Sequence, residues 1–356
     1  MSQVKAKGTT GINGAIAAGG SSATVNSQGT GLLPNFLSFS GSTRQNDLDV
    51  SWTMSFQPAG DKGQALVGGT DTNNSLNTRQ SFLTFGDKSW GSIKLGKDLG
   101  IFASDAILSD MTLLGVGSGA GLGNATNGRI GTGYIYADWK SQIAYTTPNF
   151  NGFQATVGLT QGWNQQGTGS LTTTTRAGGN PAYEGKASYS FSANDVTGKV
   201  WVSGIGQKQG NGVDATSDDS VAYAGDIGAN VNLAGFGLTG YYYSGQGIGT
   251  TAQFLHGYSA AGKSRDSDGG YVQATYVLPT KTKVGVSWGQ SNLDLASNET
   301  TATNIVKSNE MWTAGLYHPL TKHLNIVAEY SNIQSENHAS GKATTNSGSL
   351  GAILFF

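Results

Sequence analysis

Few residues of this 356-residue chain are of a type that could do chemistry, and their spacing argues against a reaction centre. The four histidines, His256, His318, His323 and His338, have no second ligand at metal spacing. There is no cysteine, which removes a disulfide framework and any thiolate metal site. No G-x-S-x-G elbow precedes a helix. The Gly-rich run from Gly115 to Gly123 lacks the strand-to-helix setting of a phosphate loop. What remains is charge laid out with a period. Lys5, Lys7, Lys94, Lys140 and Lys186 fall on the polar face of alternating segments. They read either as a basic track that draws anions along a surface or as lysines that a polar lining tolerates. Side chains arranged this way handle something that passes by. No enzyme activity, bound cofactor or metal is expected.

The stretch that departs from alternation is Arg79 to Gly117, RQSFLTFGDKSWGSIKLGKDLGIFASDAILSDMTLLGVG. It begins as two short strands around a tight turn at Asp87-Lys88-Ser89-Trp90, then becomes apolar, with only Asp98, Asp105 and Asp110 charged. A sheet edge needs no such insertion. It reads as a long loop folded back into the mouth of a β-barrel, where it would set the bore. Asp105 suits the N-cap of a short helix over Ala106 to Met111, since its carboxylate can accept from the first free N–H groups. That gives Asp105 a structural role and leaves Asp110 for the lumen. Phe102, Leu108, Met111, Leu113 and Leu114 read as anchors against the inner wall. The alternative is an apolar contact surface for an aromatic or semi-apolar solute, with Phe36 opposite.

Composition agrees with a wet, strand-built molecule. Charged residues are 12% of the chain against the usual ~25%, and 55 glycines take up part of the difference. A formal net charge of −1 gives no electrostatic case for nucleic acid as a partner. No apolar run reaches the ~18 residues of a membrane helix, while barrel strands need only ~9–11 alternating residues. MSQVKAKGTT carries no apolar stretch after its charges, so a signal peptide is expected to be missing from this sequence.

Period-2 alternation recurs from end to end and yields sixteen strands, seven short connections alternating with eight long ones. The first strand reads from Val4 to Ala17, and Gly19 to Gly31 as a Gly/Ser loop. Short turns at one rim and long loops at the other are the mark of an outer-membrane barrel. One face of the strands is apolar (Val286, Trp288; Phe153, Val157, Leu159; Leu324, Ile326, Tyr330) and the other is small or polar. A sixteen-stranded interior is too wide for side chains to fill, so the polar face must meet water and the apolar face lipid. Aromatics near strand ends, Trp52, Trp90, Tyr145, Tyr189, Trp312 and Phe356, would form interfacial girdles. The fold expected is all-β: a 16-stranded antiparallel transmembrane barrel, one domain over 1–356, with 98–140 as the constriction loop.

Arg79 to Met111, the segment SQIAYTTPNFNGF and the terminal Phe356 together resemble the Gram-negative general diffusion porins. The resemblance implies a homotrimeric outer-membrane channel for small hydrophilic solutes and ions, in contact with membrane lipid and lipopolysaccharide. It also implies acidic residues of the third loop set against a basic wall. Carried over by position, Arg79 belongs to that wall with its side chain in the lumen, and Asp110 is the acid of the eyelet. Phe36, Asp138 and Leu114 stand where the family pattern has charged residues, with Lys140 beside Asp138 on the same face. The eyelet expected therefore comprises Arg79, Asp110, Lys94, Lys140, Asp138, Phe36, Leu114 and Asp105. A second reading is a selective channel whose partly apolar eyelet favours a carbon source such as an aromatic or carboxylate compound.

Overall fold

Side-chain alternation fixes which runs can lie in a sheet, and each long alternating run is a strand. The computed structural model describes residues 1–58, 76–117, 126–163, 180–209, 220–259, 262–300 and 304–356. The expected loops over 164–179 and 210–217, and the 118–123 part of the Gly-rich run, lie outside the described residues. The first six strands are β1 (Ser2–Gly8), β2 (Gly20–Ser27), β3 (Leu37–Gln45), β4 (Leu48–Pro58), β5 (Leu76–Asp87) and β6 (Gly91–Leu99). Then come β7 (Trp139–Thr146), β8 (Phe153–Thr160), β9 (Ala182–Ala193), β10 (Val196–Gln209), β11 (Ser220–Leu233) and β12 (Phe236–Gln246). The last five are β13 (Asp266–Val277), β14 (Lys283–Leu293), β15 (Val306–Pro319), β16 (Leu324–Asn337) and β17 (Lys342–Leu354). One helix, α1 (Ser104–Ser109), and a 3-10 turn, Met111–Leu114, interrupt the pattern between β6 and β7.

The seventeen strands among the described residues share one sheet. The sixteen expected spans are present, and the additional strand is β2, formed inside the stretch read as a Gly/Ser loop. The expected first strand stops at Gly8 rather than Ala17. Gly8, Gly11 and Gly14 adopt positive φ, which ends extended structure there. The chain then returns as β2 along the open edge of β1, because an unpaired edge is a ready template for any β-competent segment.

Antiparallel ladders run without a break from β3 to β17, then from β17 to β1 and from β1 to β2. Ser2 lies opposite Ser349 on one side and Ser27 on the other, so the two ends of the chain meet in the sheet. Counting directions along these ladders, β2 and β3 point the same way. Any pairing between them would be parallel, as an odd number of strands demands.

The two faces are sorted oppositely to those of a soluble sheet. Val157, Val286 and Leu350 are each 60% exposed on the apolar face. Trp52, Tyr189 and Trp312 are exposed within β4, β9 and β15 rather than at the strand ends expected of them, and Phe356 is exposed past the end of β17. The opposite face holds Thr313, Ser331, Ser335 and Ser347, all buried. Lys5 and Lys7 pair with Asn346 and Thr344, which share the face of Leu350. Both lysines therefore point outward with the apolar residues, not inward with the polar ones as expected. Trp201 and Tyr241, at 2% and 5% exposure, sit on the polar face, covered from within.

An exposed apolar band of this kind fits lipid. Leu350→Arg, in the middle of the band, should cost about 2–4 kcal/mol when folding into a bilayer is followed in urea. Ser190→Arg, exposed on the opposite face, should cost little in the same titration.

Candidate functional site

The segment between β6 and β7 crosses the polar face, and its entry is fixed by one carboxylate. Glu184, fully buried on β9, accepts from the backbone N–H of Ile101 and of Phe102, each at 2.8 Å. It also accepts from Thr160 Oγ1 at 2.7 Å and pairs with the Lys140 ammonium, itself fully buried. A buried carboxylate is tolerated only when charge and hydrogen bonds replace its water, and here all four contacts do so. Further along, Ala103 N–H donates to Ser203 (3.2 Å), Met111 N–H to Gln273 (2.9 Å) and Gly133 N–H to Ser291 (3.0 Å). The segment thus touches β10, β13 and β14 in turn.

Asp105, in the first turn of α1, faces two cations on β9 and β10, the wall against which the segment docks. Lys186 approaches at 3.2 Å and Lys199 also bonds it. Burial alone would raise the Asp105 carboxyl, but the two ammoniums outweigh it and hold the group below the usual carboxylate range. Both lysines keep solvent contact, with side chains 25% and 35% exposed. An acid on the inserted segment therefore stands against a pair of accessible cations on β9 and β10.

Asp110 does something else. Its carboxylate accepts from Thr112 N–H (2.9 Å), Thr112 Oγ1 (2.5 Å) and Tyr134 OH (3.0 Å), capping the 3-10 turn. The helix expected over Ala106 to Met111 is Ser104–Ser109, with Ala103 at the N-cap and no side-chain cap. In contacts, then, the capping and facing parts expected of Asp105 and Asp110 are exchanged.

The other expected residues scatter. Lys94 lies over the Phe82 ring at 4.8 Å and pairs with Asp98, which also accepts from Gln80 at 3.1 Å. Arg79 sits at a bulge in the β4–β5 ladder, its guanidinium 5.7 Å from the centre of the Trp139 ring. It makes no ion pair among the described residues. Asp138, at φ +60°, accepts from Trp139 N–H at 2.7 Å, and burial pushes its carboxyl up. Leu114 packs beside Val116, Tyr317 and Val327. Phe36 is exposed, one residue before β3. Of the apolar anchors, Phe102 and Met111 are buried, whereas Leu108 is 59% exposed.

Glu184, Lys199 and Arg129 were not anticipated. The alternation in YEGKASYSF puts Glu184 on the face of Lys186, and that parity was the available signal. Arg129 is wholly buried on the inserted segment, donating from Nη1 to Met311 O at 2.8 Å. A second inserted segment, described over 247–259 and 262–265, supports the first: Tyr136 N–H donates to Thr251 O (2.8 Å), and Gln253 Nε2 to Ala137 O (3.1 Å). Within it His256 is buried at φ +60°, beside Arg265, which is locked bidentately to Glu299. Burial first, and the Arg265 charge second, lower the His256 imidazole to about 4.

A single sheet with an apolar outer face and a charged inner face crossed by an inserted segment is the scaffold of a membrane channel. The chain belongs to the Gram-negative porin family, whose profile matches residues 3–338, and it forms an outer-membrane diffusion channel. Among solved structures it is similar to the outer membrane channel DcaP of Acinetobacter baumannii, at 14% identity and TM-score 0.66 over 99% of this chain and 94% of that one. The anion-selective porin from Comamonas acidovorans matches at 15% and 0.60, over 92% and 91%. OmpT of Vibrio cholerae matches at 12% and 0.52, over 100% and 97%. At these identities the likeness is one of fold. No curated protein matches the chain in sequence.

Glu184→Ala would leave the Lys140 ammonium buried without its partner and should cost about 3–5 kcal/mol in urea unfolding. Proteolysis should then become faster near Gly100 to Ser104; an unchanged midpoint and cleavage pattern would contradict the anchoring role. For His256 the folded value lies below the ordinary 6.5, so the docked segment binds fewer protons than the released one. Docking is therefore fully supported above pH 6.5 and loses up to about 3 kcal/mol as pH falls toward 4. Hydrogen exchange over 247–258 should accelerate across that window and do so less in His256→Gln.

Proposed function

We propose that the sheet closes at the β2/β3 junction into one barrel over residues 1–356, with the 98–140 segment as its constriction, and that small hydrophilic solutes and ions diffuse through it passively. The observation that carries this reading is the clamp of Asp105 between Lys186 and Lys199. It fixes one acid and two part-exposed cations on the β9–β10 side of the passage, and fixed charge at a narrow point biases which ions enter. We assign the basic wall to these two lysines rather than to Arg79, whose charge rests on Trp139. Lys94, balanced by Asp98, extends the polar lining beside them.

The exposed apolar band would meet outer-membrane lipid. Lys5 and Lys7 point outward level with Asn346 and Thr344, beyond Tyr330 and Leu350, a height that suits the phosphates of lipopolysaccharide. The OmpT relative has been solved in a trimer form, which supports a homotrimer here. Exposed Leu108 on the inserted segment favours one further reading, a channel selective for a semi-apolar solute such as an aromatic carboxylate. Saturable block of ion current by that solute class would separate the selective channel from the general one.

Purified protein in a planar bilayer should give stepwise conductance, and its absence would sink the channel. In a salt gradient, Lys186→Ala/Lys199→Ala should move the reversal potential toward cation preference and Asp105→Asn toward anions. Arg79→Ala should leave it nearly unchanged; a large shift there would return the basic wall to Arg79.

A further inference from the structure

The polar face of β15–β17 carries apolar residues that a water-lined wall would not need. Met311, Ile333 and Ala343 share that face with Asn309, Ser335 and Thr345, and all are buried. What covers them is the connection between β1 and β2. Ile12, Ile16 and Ala17 of this connection pack into the same cluster. Its backbone is held by side chains from three successive strands. Ile16 N–H donates to Asn309 Oδ1 (3.0 Å), Ala17 N–H to Ser335 Oγ (2.9 Å) and Ala18 N–H to Thr345 Oγ1 (2.9 Å). Asn309 Nδ2 returns a bond to Gly14 O at 3.0 Å.

The segment therefore runs across strands rather than along one, with wall side chains standing in for the missing ladder. Gly14, at φ +84°, makes the close approach possible: a Cβ there would lie 2.9 Å from Val306 and 3.0 Å from the His256 ring. Across the sheet the polar face stays wet, with Ser40 and Ser42 exposed and Lys94, Lys186 and Lys199 partly so.

We propose that residues 9–19 form a second constriction element, a strap that fills the β15–β17 side of the bore. With the 98–140 segment it would set the size limit for solutes and displace the passage toward β3–β10. The inference rests on the channel reading. A layer stacked on a sheet face lies about 10 Å from it, so removing the strap from that wall should raise single-channel conductance, by roughly 1.3- to 2-fold. The test replaces Asn13 to Ala18 by a short Gly-Ser link, and separately makes Asn309→Ala/Ser335→Ala/Thr345→Ala, which keeps the strands and frees the strap. Folding is checked by resistance of the native band to detergent without heating. The replacement should give larger steps and admit larger neutral polymers; the triple variant should flicker between the parental level and a larger one. If both variants fold and keep the parental conductance and polymer cut-off, the strap is not a constriction. Where the replacement does not fold, the triple variant decides alone. Failure of the parent to conduct would instead overturn the channel reading.

Discussion

The inner architecture hangs on the buried pairing of Glu184 with Lys140. It joins β9 to β7 and offers its second oxygen to two successive N–H groups at the point where the chain leaves β6 and turns inward. Because both charges are fully buried, neither can be lost without stranding the other, and the entry angle of the inserted segment follows from the pair. Downstream contacts extend this placement: Ser203, Gln273 and Ser291 receive backbone donors from Ala103, Met111 and Gly133. Asp105 then meets Lys186, two residues beyond Glu184 on the same face of β9.

An outward apolar face costs nothing in lipid, but it leaves the inside without a packed core. Three inserted segments supply one in part. The segment before β7 packs Phe102, Ile130 and Tyr134 against Tyr241 and Tyr271, 247–265 adds Ile248 and Phe254, and the β1–β2 connection covers Met311 and Ile333. Apolar residues on the polar face mark where this internal packing lies. Charged residues with remaining solvent contact mark where it stops. Both sets are needed to say where a solute can pass.

Much of this was legible in the sequence. Alternation and the sorting of long and short connections located every span that the sheet shares with the sixteen expected. They did not reveal β2, since the stretch from Gly20 to Ser27 lacks apolar alternation and gains its strand character only from the edge of β1. The facing of Lys5 and Lys7 was misjudged for a related reason. Near a rim both faces are wet, so polarity cannot tell inside from outside, and a one-residue change of phase reverses every side chain. Register against β17 decides it. Asp105 and Asp110 both satisfy the local rule for a capping acid, and only lysines 81 and 94 residues away from Asp105 separate them. Glu184 was missed because its role depends on partners brought together from the segment after β6, from β7 and from β8.

The additional strand, β2, bears on how such a sheet is assembled. β1 must wait for β17, which lies at the far end of the chain, and a contact so distant in sequence forms slowly. In the meantime its open edge could recruit another molecule. β2 is close at hand and pairs with β1 within a hairpin, covering one edge from the moment both have emerged. Gly20 to Ser27 thus satisfies the edge of β1 that faces away from β17, while the edge awaiting β17 stays open until the ends of the chain meet.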